Sequence, residues 1–159
     1  MKSRIDFIRV FPQVLRTMSA FNTPIESAGL EPALLELVKM RASQINGCGP
    51  CLDMHSKDAR AAGETEQRLY LLNAWRETAL YSERERAALA WTEALTRLRE
   101  GNVPDDVYDE MSNHFTEQEL VGLTLAVVAI NGWNRFNIAF RVEAGGYQPG
   151  MLEHLQKTA

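Results

Sequence analysis

Helix start and stop signals recur along almost the whole chain, and they constrain its fold more than any other feature. Two segments match the capping box, in which a Ser or Thr and a Glu three residues later satisfy the free amides of a helix start; they begin at Ser82 and Thr116. Pro32 suits the first turn of a helix, and Asn46 and Gly47 tolerate the left-handed cap that ends one. No alternating segment of useful length indicates a strand. The sequence therefore predicts an all-α protein.

These signals divide the chain into a series of expected helices. Along the chain they cover residues 12–28, 32–46, 49–62, 65–75, 82–98, 105–113, 116–141 and 149–157. Pro24 predicts a bend or break in the first of them, because a proline inside a helix removes a hydrogen bond. In the second, apolar residues from Leu34 to Ile45 recur at helical spacing, which indicates a face that packs in the core.

The composition fits one globular domain. With 159 residues, 45% of them hydrophobic, we expect a single globular domain. The net charge is −4 and both signs are mixed, which gives no basic surface for nucleic acid or an anionic membrane. No apolar run approaches the length of a bilayer span, and residues 1–6 lack the pattern of a secretory signal. We therefore expect a cytoplasmic protein with neither nucleic acid nor membrane as a partner.

Both cysteines of the chain lie in one tetrapeptide, Cys48-Gly49-Pro50-Cys51, at a junction between two expected helices. In a cytoplasmic protein this spacing is more typical of catalysis or metal binding than of a structural disulfide. Pro50 suits the first helical turn, which places Cys51 among unpaired amides and the positive end of the helix dipole, where the thiolate is favoured. Cys48 lies just outside the helix, in position to attack a modified Cys51.

A histidine and a glutamate complete the candidate site. His55 is one turn beyond Cys51 on the same helix face, so it can accept the thiol proton or deliver a proton to a leaving group. Glu36 comes from the preceding helix, on a face with Met40 and Ser43, and taken alone a solvent-facing glutamate is the more common interpretation. If the two helices fold back on each other, Glu36 would meet His55, fix the orientation of its ring and raise its basicity.

Other interpretations of this site stay open. All four candidate residues are acceptable zinc ligands, although structural zinc sites usually draw on two separated pairs, whereas three of these residues crowd one helix start. A buried cysteine can also act as a small apolar side chain. Cys-Gly-Pro-Cys is the active-site tetrapeptide of thioredoxin, but that fold needs a strand before the motif, where this chain has an expected helix.

The spacing of the candidate residues resembles that of the AhpD-like alkylhydroperoxidases of the carboxymuconolactone decarboxylase family. Glu36 is followed by eleven residues, the Cys-Gly-Pro-Cys tetrapeptide, three more residues and His55. The segment from Glu36 to Gly63, ELVKMRASQINGCGPCLDMHSKDARAAG, resembles the family core almost throughout, and residues 88–93 and 131–136 also resemble bacterial members. The resemblance implies one AhpD-like domain over residues 1–159, with its core at about residues 31–100.

From this resemblance we expect a thiol-dependent peroxidase of antioxidant defence that reduces alkyl hydroperoxides. Cys51 would be the peroxidatic cysteine, which becomes a sulfenic acid, and Cys48 the resolving cysteine, which condenses with it to a disulfide. Glu36 and His55 would form the proton relay that activates Cys51. No bound cofactor or metal is expected. An external dithiol would reduce the disulfide, and the resemblance makes a lipoyl-bearing protein the candidate donor.

Two features distinguish this chain from some members of the superfamily that it resembles. The true decarboxylases lack the thiol pair, so its presence argues against lactone decarboxylation. Some relatives place a histidine between the two cysteines, where this chain has Gly49 and Pro50. The missing histidine keeps a second function open, that of a dithiol–disulfide oxidoreductase or redox sensor for which peroxide reduction is incidental.

The last long helix is apolar enough to predict self-association. Residues 121–130 and the aromatic pair Trp133 and Phe136 offer more apolar surface than a small helical domain easily covers alone. The family resemblance implies trimers or hexamers, so we expect a homo-oligomer of one of these two kinds.

Overall fold

The computed structural model describes residues 2–98 and 101–151. Within them the chain forms nine α-helices and one 3-10 helix, and no strand. In chain order these are α1 (Phe7–Val10), α2 (Gln13–Ser19), α3 (Asn22–Glu26), α4 (Pro32–Asn46), α5 (Gly49–Ala61), α6 (Glu66–Leu71), the 3-10 helix (Leu72–Glu77), α7 (Glu83–Thr96), α8 (Asp105–His114) and α9 (Glu117–Phe140). The predicted all-α class is confirmed for the part of the chain that the structure describes.

The ends of the longer helices follow the predicted signals. Ser82 and Thr116 each accept a hydrogen bond from the amide of the glutamate three residues later, which completes the capping boxes of α7 and α9. α4 ends at Gly47, whose φ of 69° is the left-handed conformation that glycine adopts at little cost. α5 begins two residues later, and the two helices pack against each other as a hairpin.

The N-terminal region differs from the single helix expected over residues 12–28. The interruption lies at Ala20 and Phe21, between α2 and α3, so the break predicted at Pro24 is wrong. Pro24 instead occupies the first turn of α3, where a backbone amide would have no partner inside the helix. A short helix that the sequence did not indicate, α1, comes before them and is capped by the side chain of Asp6.

The helix expected over residues 65–75 ends early. α6 stops at Leu71 and the chain continues as the 3-10 helix, with non-helical backbone angles at Ala74. Both Leu72 and Trp75 of this segment are buried in the core. The expected α-helix is therefore wrong beyond Leu71.

The helix expected at the C-terminus, over residues 149–157, falls mostly outside the described residues. The structure describes the chain there as far as Met151. None of the helices within the described ranges is long and apolar enough to cross a membrane.

α4 lies at the centre of the molecule and packs against α5, α7 and α9. The largest apolar cluster joins α4 to α3, α7, α8 and α9, and a second one joins α4 to α5, α6, the 3-10 helix and α7. α9 approaches the N-terminal region closely at Gly122, where a Cβ would clash with the Cβ of Ala28. A third, small cluster contains both cysteines with Ala42 and Ile130, so the thiol pair lies where α4, α5 and α9 meet.

Candidate active site

The two cysteines are joined as a disulfide at the start of α5. Cys48 precedes the helix in an extended conformation, and Pro50 and Cys51 lie in its first turn. The Cα atoms of the two cysteines are 5.4 Å apart. Both residues are almost fully buried, with 0% and 1% of their surface exposed, and they pack with Ala42 and Ile130. The sulfur pair therefore lies in an apolar environment with almost no exposure to solvent.

His55 and Glu36 are in contact across the hairpin. Nδ1 of His55 lies 2.8 Å from Oε2 of Glu36, and Nζ of Lys39 lies 2.7 Å from Oε1 of the same carboxylate. Met40 and Ser43, which share the helix face of Glu36, are buried. The solvent-facing interpretation of Glu36 is therefore wrong, because α4 and α5 fold back on each other as the contact with His55 requires.

Glu36 stays ionised throughout the physiological pH range. Burial alone would raise the pKa of its carboxyl, but the hydrogen bond and the charge of His55 oppose burial, and the ammonium of Lys39 adds to them. The net result lowers the pKa of Glu36 from its ordinary value of 4.5 to about 2. Since a carboxylate can only accept hydrogen bonds, Nδ1 of His55 is the donor, and Nε2 is the basic nitrogen of the neutral ring.

α9 contributes a residue that the sequence reasoning missed. Nδ2 of Asn137 donates a hydrogen bond of 3.2 Å to Sγ of Cys51. Asn137 is seven residues beyond Ile130, which packs with the disulfide, so the two share a face of α9. That spacing is the signal that could have found Asn137, but it becomes informative only once α9 is known to pack on the start of α5.

Two more asparagines on this face of α9 hold the end of α4. Asn134 donates to Oγ of Ser43 at 3.1 Å. Asn46 in turn donates to the side-chain oxygens of Asn131 and Asn134, at 2.9 and 2.8 Å. Asn134 is fully buried, so these polar groups satisfy one another away from water. The network fixes the turn of the hairpin, and with it Cys48, against α9.

The segment after α9, residues 142–151 and here called the strap, runs along α5. The backbone amide of Gly145 donates to the carboxylate of Asp53 at 2.9 Å. The hydroxyl of Tyr147 donates to the carboxylate of Asp58, also at 2.9 Å. Nζ of Lys57 also donates to the backbone oxygen of Tyr147 at 2.9 Å, so the strap is anchored to α5 at three residues of that helix.

The anchor formed by Tyr147 and Asp58 shifts the ionisation of both side chains. Burial, with the hydrogen bond to Asp58 acting in the same direction, raises the pKa of Tyr147 to about 12. Burial also raises the pKa of Asp58; the hydrogen bond from Tyr147 opposes this shift, and the charge of Glu36 adds to it. The effect of Glu36 places this anchor within electrostatic reach of the Glu36–His55 pair. Sequence spacing gave no signal for either residue.

The four residues predicted from the sequence come together as two pairs. These are the Cys48–Cys51 disulfide and the Glu36–His55 contact. Within residues 2–98 and 101–151, no three His, Cys, Asp or Glu side chains are grouped so that they could hold a metal ion, and the four do not form such a group while the disulfide is closed. The arrangement places an oxidised thiol pair at the start of α5, and one turn further along that helix His55 pairs with Glu36 of α4. The chemical roles of the four residues stay predictions.

The sequence is similar to known proteins over most of its length. Residues 12–94 match the carboxymuconolactone decarboxylase family. The uncharacterized protein YdfG of Bacillus subtilis (strain 168) is 40% identical over 139 residues, which cover 87% of this chain and 95% of YdfG.

Solved structures share the fold. ATU0492 from Agrobacterium tumefaciens, a protein of unknown function with a suggested role as an antioxidant defence protein AhpD, matches with a TM-score of 0.87 and 40% identity, over 92% of this chain and 100% of its own. The apo structure of the debrominase Bmp8 matches with a TM-score of 0.75 and 19% identity, over 85% of this chain and 73% of its own. At that identity the likeness to Bmp8 shows the fold alone.

Proposed function

Since this chain belongs to the carboxymuconolactone decarboxylase family and has the fold of an AhpD-like protein, we propose that it is a thiol-dependent alkylhydroperoxidase of antioxidant defence. The family resemblance predicted from the sequence is confirmed. The observation that carries the proposal is the 2.8 Å contact between His55 and Glu36 in a hairpin whose turn holds the Cys48–Cys51 disulfide.

The first step is the oxidation of Cys51. Its thiolate attacks the terminal oxygen of the hydroperoxide, the O–O bond breaks, and the electron pair of that bond leaves with the alkoxide. His55, one turn further along α5, supplies the proton that converts the alkoxide to an alcohol. Cys51 is left as a sulfenic acid, so the peroxide is reduced by two electrons and the sulfur is oxidised by two.

The second step closes the disulfide present in the structure. The thiolate of Cys48 attacks the sulfenic sulfur of Cys51, and hydroxide leaves and is protonated to water. The positions of the two residues support this step, because their Cα atoms are 5.4 Å apart, within the ordinary range for a disulfide. A dithiol, for which we propose a lipoyl-bearing protein, then reduces the disulfide and becomes a disulfide itself. The proposal requires no bound cofactor.

Glu36 acts through His55 as a positioning residue. Its carboxylate holds the proton on Nδ1 and so directs the basic Nε2 away from α4. Because the low pKa keeps Glu36 negative, it also stabilises the imidazolium that forms when His55 takes a proton from Cys51. Both effects favour the thiolate of Cys51 over the thiol.

Timed peroxide consumption by the wild type and two cysteine variants tests the proposal. With an alkyl hydroperoxide and alternative dithiol donors, we expect Cys51→Ser to abolish turnover. The Cys48→Ser variant should complete one turnover and then stop with Cys51 trapped as the sulfenic acid. If Cys51→Ser kept wild-type turnover, the assignment of Cys51 as the peroxidatic residue would be wrong.

The proton relay has a matched control in the same chain. His55→Leu should lower the rate of peroxide consumption by about 100-fold, because a positioned general acid typically contributes that much. His114, which pairs with Glu110 at the end of α8, lies outside the site, so His114→Leu should leave the rate unchanged. Equal rates for the two variants would remove His55 from the mechanism.

The second candidate function is a dithiol–disulfide oxidoreductase or redox sensor. The observation that favours it is the pair Gly49 and Pro50 between the cysteines, where some relatives provide a histidine. In that case peroxide turnover should be slow while exchange with a protein or lipoyl disulfide is fast. The ratio of the two rates, measured on the same preparation, separates the functions.

A further inference from the structure

The two sulfurs of the disulfide have different polar surroundings. Sγ of Cys51 accepts a hydrogen bond from Nδ2 of Asn137 at 3.2 Å. Cys48 stands at the N-cap position of α5, yet its side chain accepts no capping hydrogen bond from the helix. At most 1% of the surface of either cysteine is exposed, and both pack with Ala42 and Ile130, so burial does not distinguish the two sulfurs. The hydrogen bond from the side-chain amide of Asn137 is what distinguishes the two sulfurs.

We propose that Asn137 is a catalytic residue that stabilises negative charge on Cys51 and makes it, rather than Cys48, the sulfur that leaves when the disulfide is reduced. An apolar environment disfavours a thiolate, so a donor aimed at the sulfur has a large effect there. An amide N–H that meets a full negative charge forms a stronger hydrogen bond than one that meets a neutral sulfur. The interaction therefore strengthens as charge develops on Cys51.

The fold holds Asn137 in place at the end of α9. Its backbone oxygen accepts from the amide of Val142 at 3.0 Å, in the cap formed where Arg141 adopts a left-handed conformation with φ of 53°. Its side chain is thus directed at the sulfur from a helix end fixed by its own cap. A donor placed in advance needs no reorganisation when the charge appears.

The reductive step follows from this asymmetry. A thiolate of the incoming dithiol attacks Sγ of Cys48, the S–S bond breaks, and its electron pair leaves on Cys51 as the thiolate that Asn137 stabilises. The product is a mixed disulfide between the donor and Cys48. The second thiol of the donor then displaces Cys48, which gives the oxidised donor and the reduced protein. The sulfur that forms the more stable thiolate is the better leaving group. Attack of the donor on Cys48, which releases the Cys51 thiolate, is therefore favoured over attack on Cys51.

The thiolate half of the proposal is tested by alkylation, which needs no peroxide. In a Cys48→Ser background, the rate at which iodoacetamide alkylates Cys51 is measured against pH. Asn137→Leu, which keeps the size and removes the donor, should slow alkylation at pH 6 by about tenfold and leave the limiting rate at high pH unchanged. Asn113→Leu, on the exposed end of α8, is the matched control and should keep the profile of the Cys48→Ser protein. Superimposable profiles for the two leucine variants would overturn this half.

The leaving-group half is tested on the wild type, so it does not depend on how well a variant folds. The oxidised protein is treated with a limiting monothiol, the reaction is quenched in acid, and the mixed disulfide is located by peptide mass spectrometry. We expect it on Cys48 in the wild type and on both cysteines in Asn137→Leu. A wild-type mixed disulfide on Cys51 would overturn the proposal. The biological use of this chemistry rests on the proposed peroxidase function. If the protein consumed no peroxide and still gave these two results, the peroxidase function would be contradicted and the role of Asn137 would stand.

Discussion

Glu36 contributes a largely buried negative charge, and its ionisation couples the stability of the fold to acid. The pKa of Glu36 is about 2 in the folded protein against an ordinary 4.5. A carboxyl whose pKa is depressed on folding adds stability that is complete above its unfolded pKa and is lost as pH falls toward its folded pKa. The contribution of Glu36 is therefore present at neutral pH and disappears between about pH 4.5 and pH 2.

The Glu36→Gln variant should lose this acid dependence. A shift of this size corresponds to on the order of 3 kcal/mol of unfolding free energy at neutral pH, part of which Gln retains by accepting a hydrogen bond from His55. Urea unfolding at pH 7, 5 and 3 should show a smaller fall in stability for Glu36→Gln than for the wild type. Glu26→Gln, at an exposed site on α3, is the control. Identical acid profiles for the wild type and Glu36→Gln would contradict the assigned environment.

At the residue scale, spacing along the sequence was enough to predict that three of the site residues lie together, but it could not place the others. Cys51 and His55 lie one turn apart on α5 and Cys48 directly precedes that helix, so their proximity follows from their short spacing along the chain. The contact of Glu36 with His55 could be predicted only by assuming that α4 and α5 fold back on each other. Asn137 comes from a helix 86 residues away, and its approach to Cys51 depends on tertiary packing that no local pattern encodes.

The strap ties the C-terminal end of the described chain to the helix that carries the thiols. Its anchor, the hydroxyl of Tyr147, has a pKa raised to about 12, chiefly by burial. A group whose pKa is raised on folding contributes fully below its unfolded pKa, so the anchor is intact at neutral pH and weakens only as pH rises from about 10 toward 12. The strap also passes close to the start of α5, because a Cβ at Gly49 would lie 3.7 Å from the Cβ of Ala144.

Removing the anchor should expose the disulfide. Tyr147→Phe deletes the hydroxyl that donates to Asp58, and the loss of one hydrogen bond should open the strap more often and speed reduction of the disulfide by dithiothreitol about fivefold at pH 7. Tyr108→Phe, on a half-exposed tyrosine of α8, should leave the rate unchanged. If Tyr147→Phe is reduced at the wild-type rate, the strap does not limit access to the sulfurs.

At the element scale, capping boxes and the prolines Pro32 and Pro50 predicted helix starts correctly, whereas the break predicted at Pro24 was wrong. The boxes at Ser82 and Thr116 fixed the starts of α7 and α9, because the side chains that form them act on backbone amides within one turn. The prediction from Pro24 failed because proline is also common in the first turn of a helix, which is where Pro24 lies in α3. The 3-10 helix was missed because the spacing of three between the core residues Leu72 and Trp75 fits an α-helical turn as well as a 3-10 turn.

At the scale of the whole molecule, α9 leaves apolar side chains on its outer face. Val121 is 66% exposed and Val128 is 52% exposed, and their spacing of seven residues places them on one face of α9. The aromatic part of the surface expected to associate is partly covered within the chain, because Phe136 stacks on Phe7 with ring centroids 5.2 Å apart. We propose that the valine face contributes to a homo-oligomer, a trimer or a hexamer.

Negative charges introduced on the valine face of α9 should separate the subunits of the proposed oligomer. Light scattering of the wild type should give three or six times the chain mass of 17.9 kDa, and the double variant Val121→Glu and Val128→Glu should give a smaller assembly or a monomer. Val10→Glu, at an equally exposed valine of α1, should keep the wild-type mass. A wild type of single-chain mass would rule out the proposed assembly, and an unchanged double variant would place the interface elsewhere.

Oxidation of Cys51 by a hydroperoxide can be observed directly in the Cys48→Ser variant, which lacks the resolving sulfur. The reduced variant is mixed with one equivalent of an alkyl hydroperoxide in the presence of dimedone, and the peptides are mapped by mass spectrometry. We predict one dimedone adduct per chain, on Cys51, together with one equivalent of the alcohol, while Cys51→Ser should form neither at a comparable rate. Unconsumed peroxide with no adduct on Cys51, or equal consumption by Cys51→Ser with the adduct on Cys48, would contradict the peroxidase proposal.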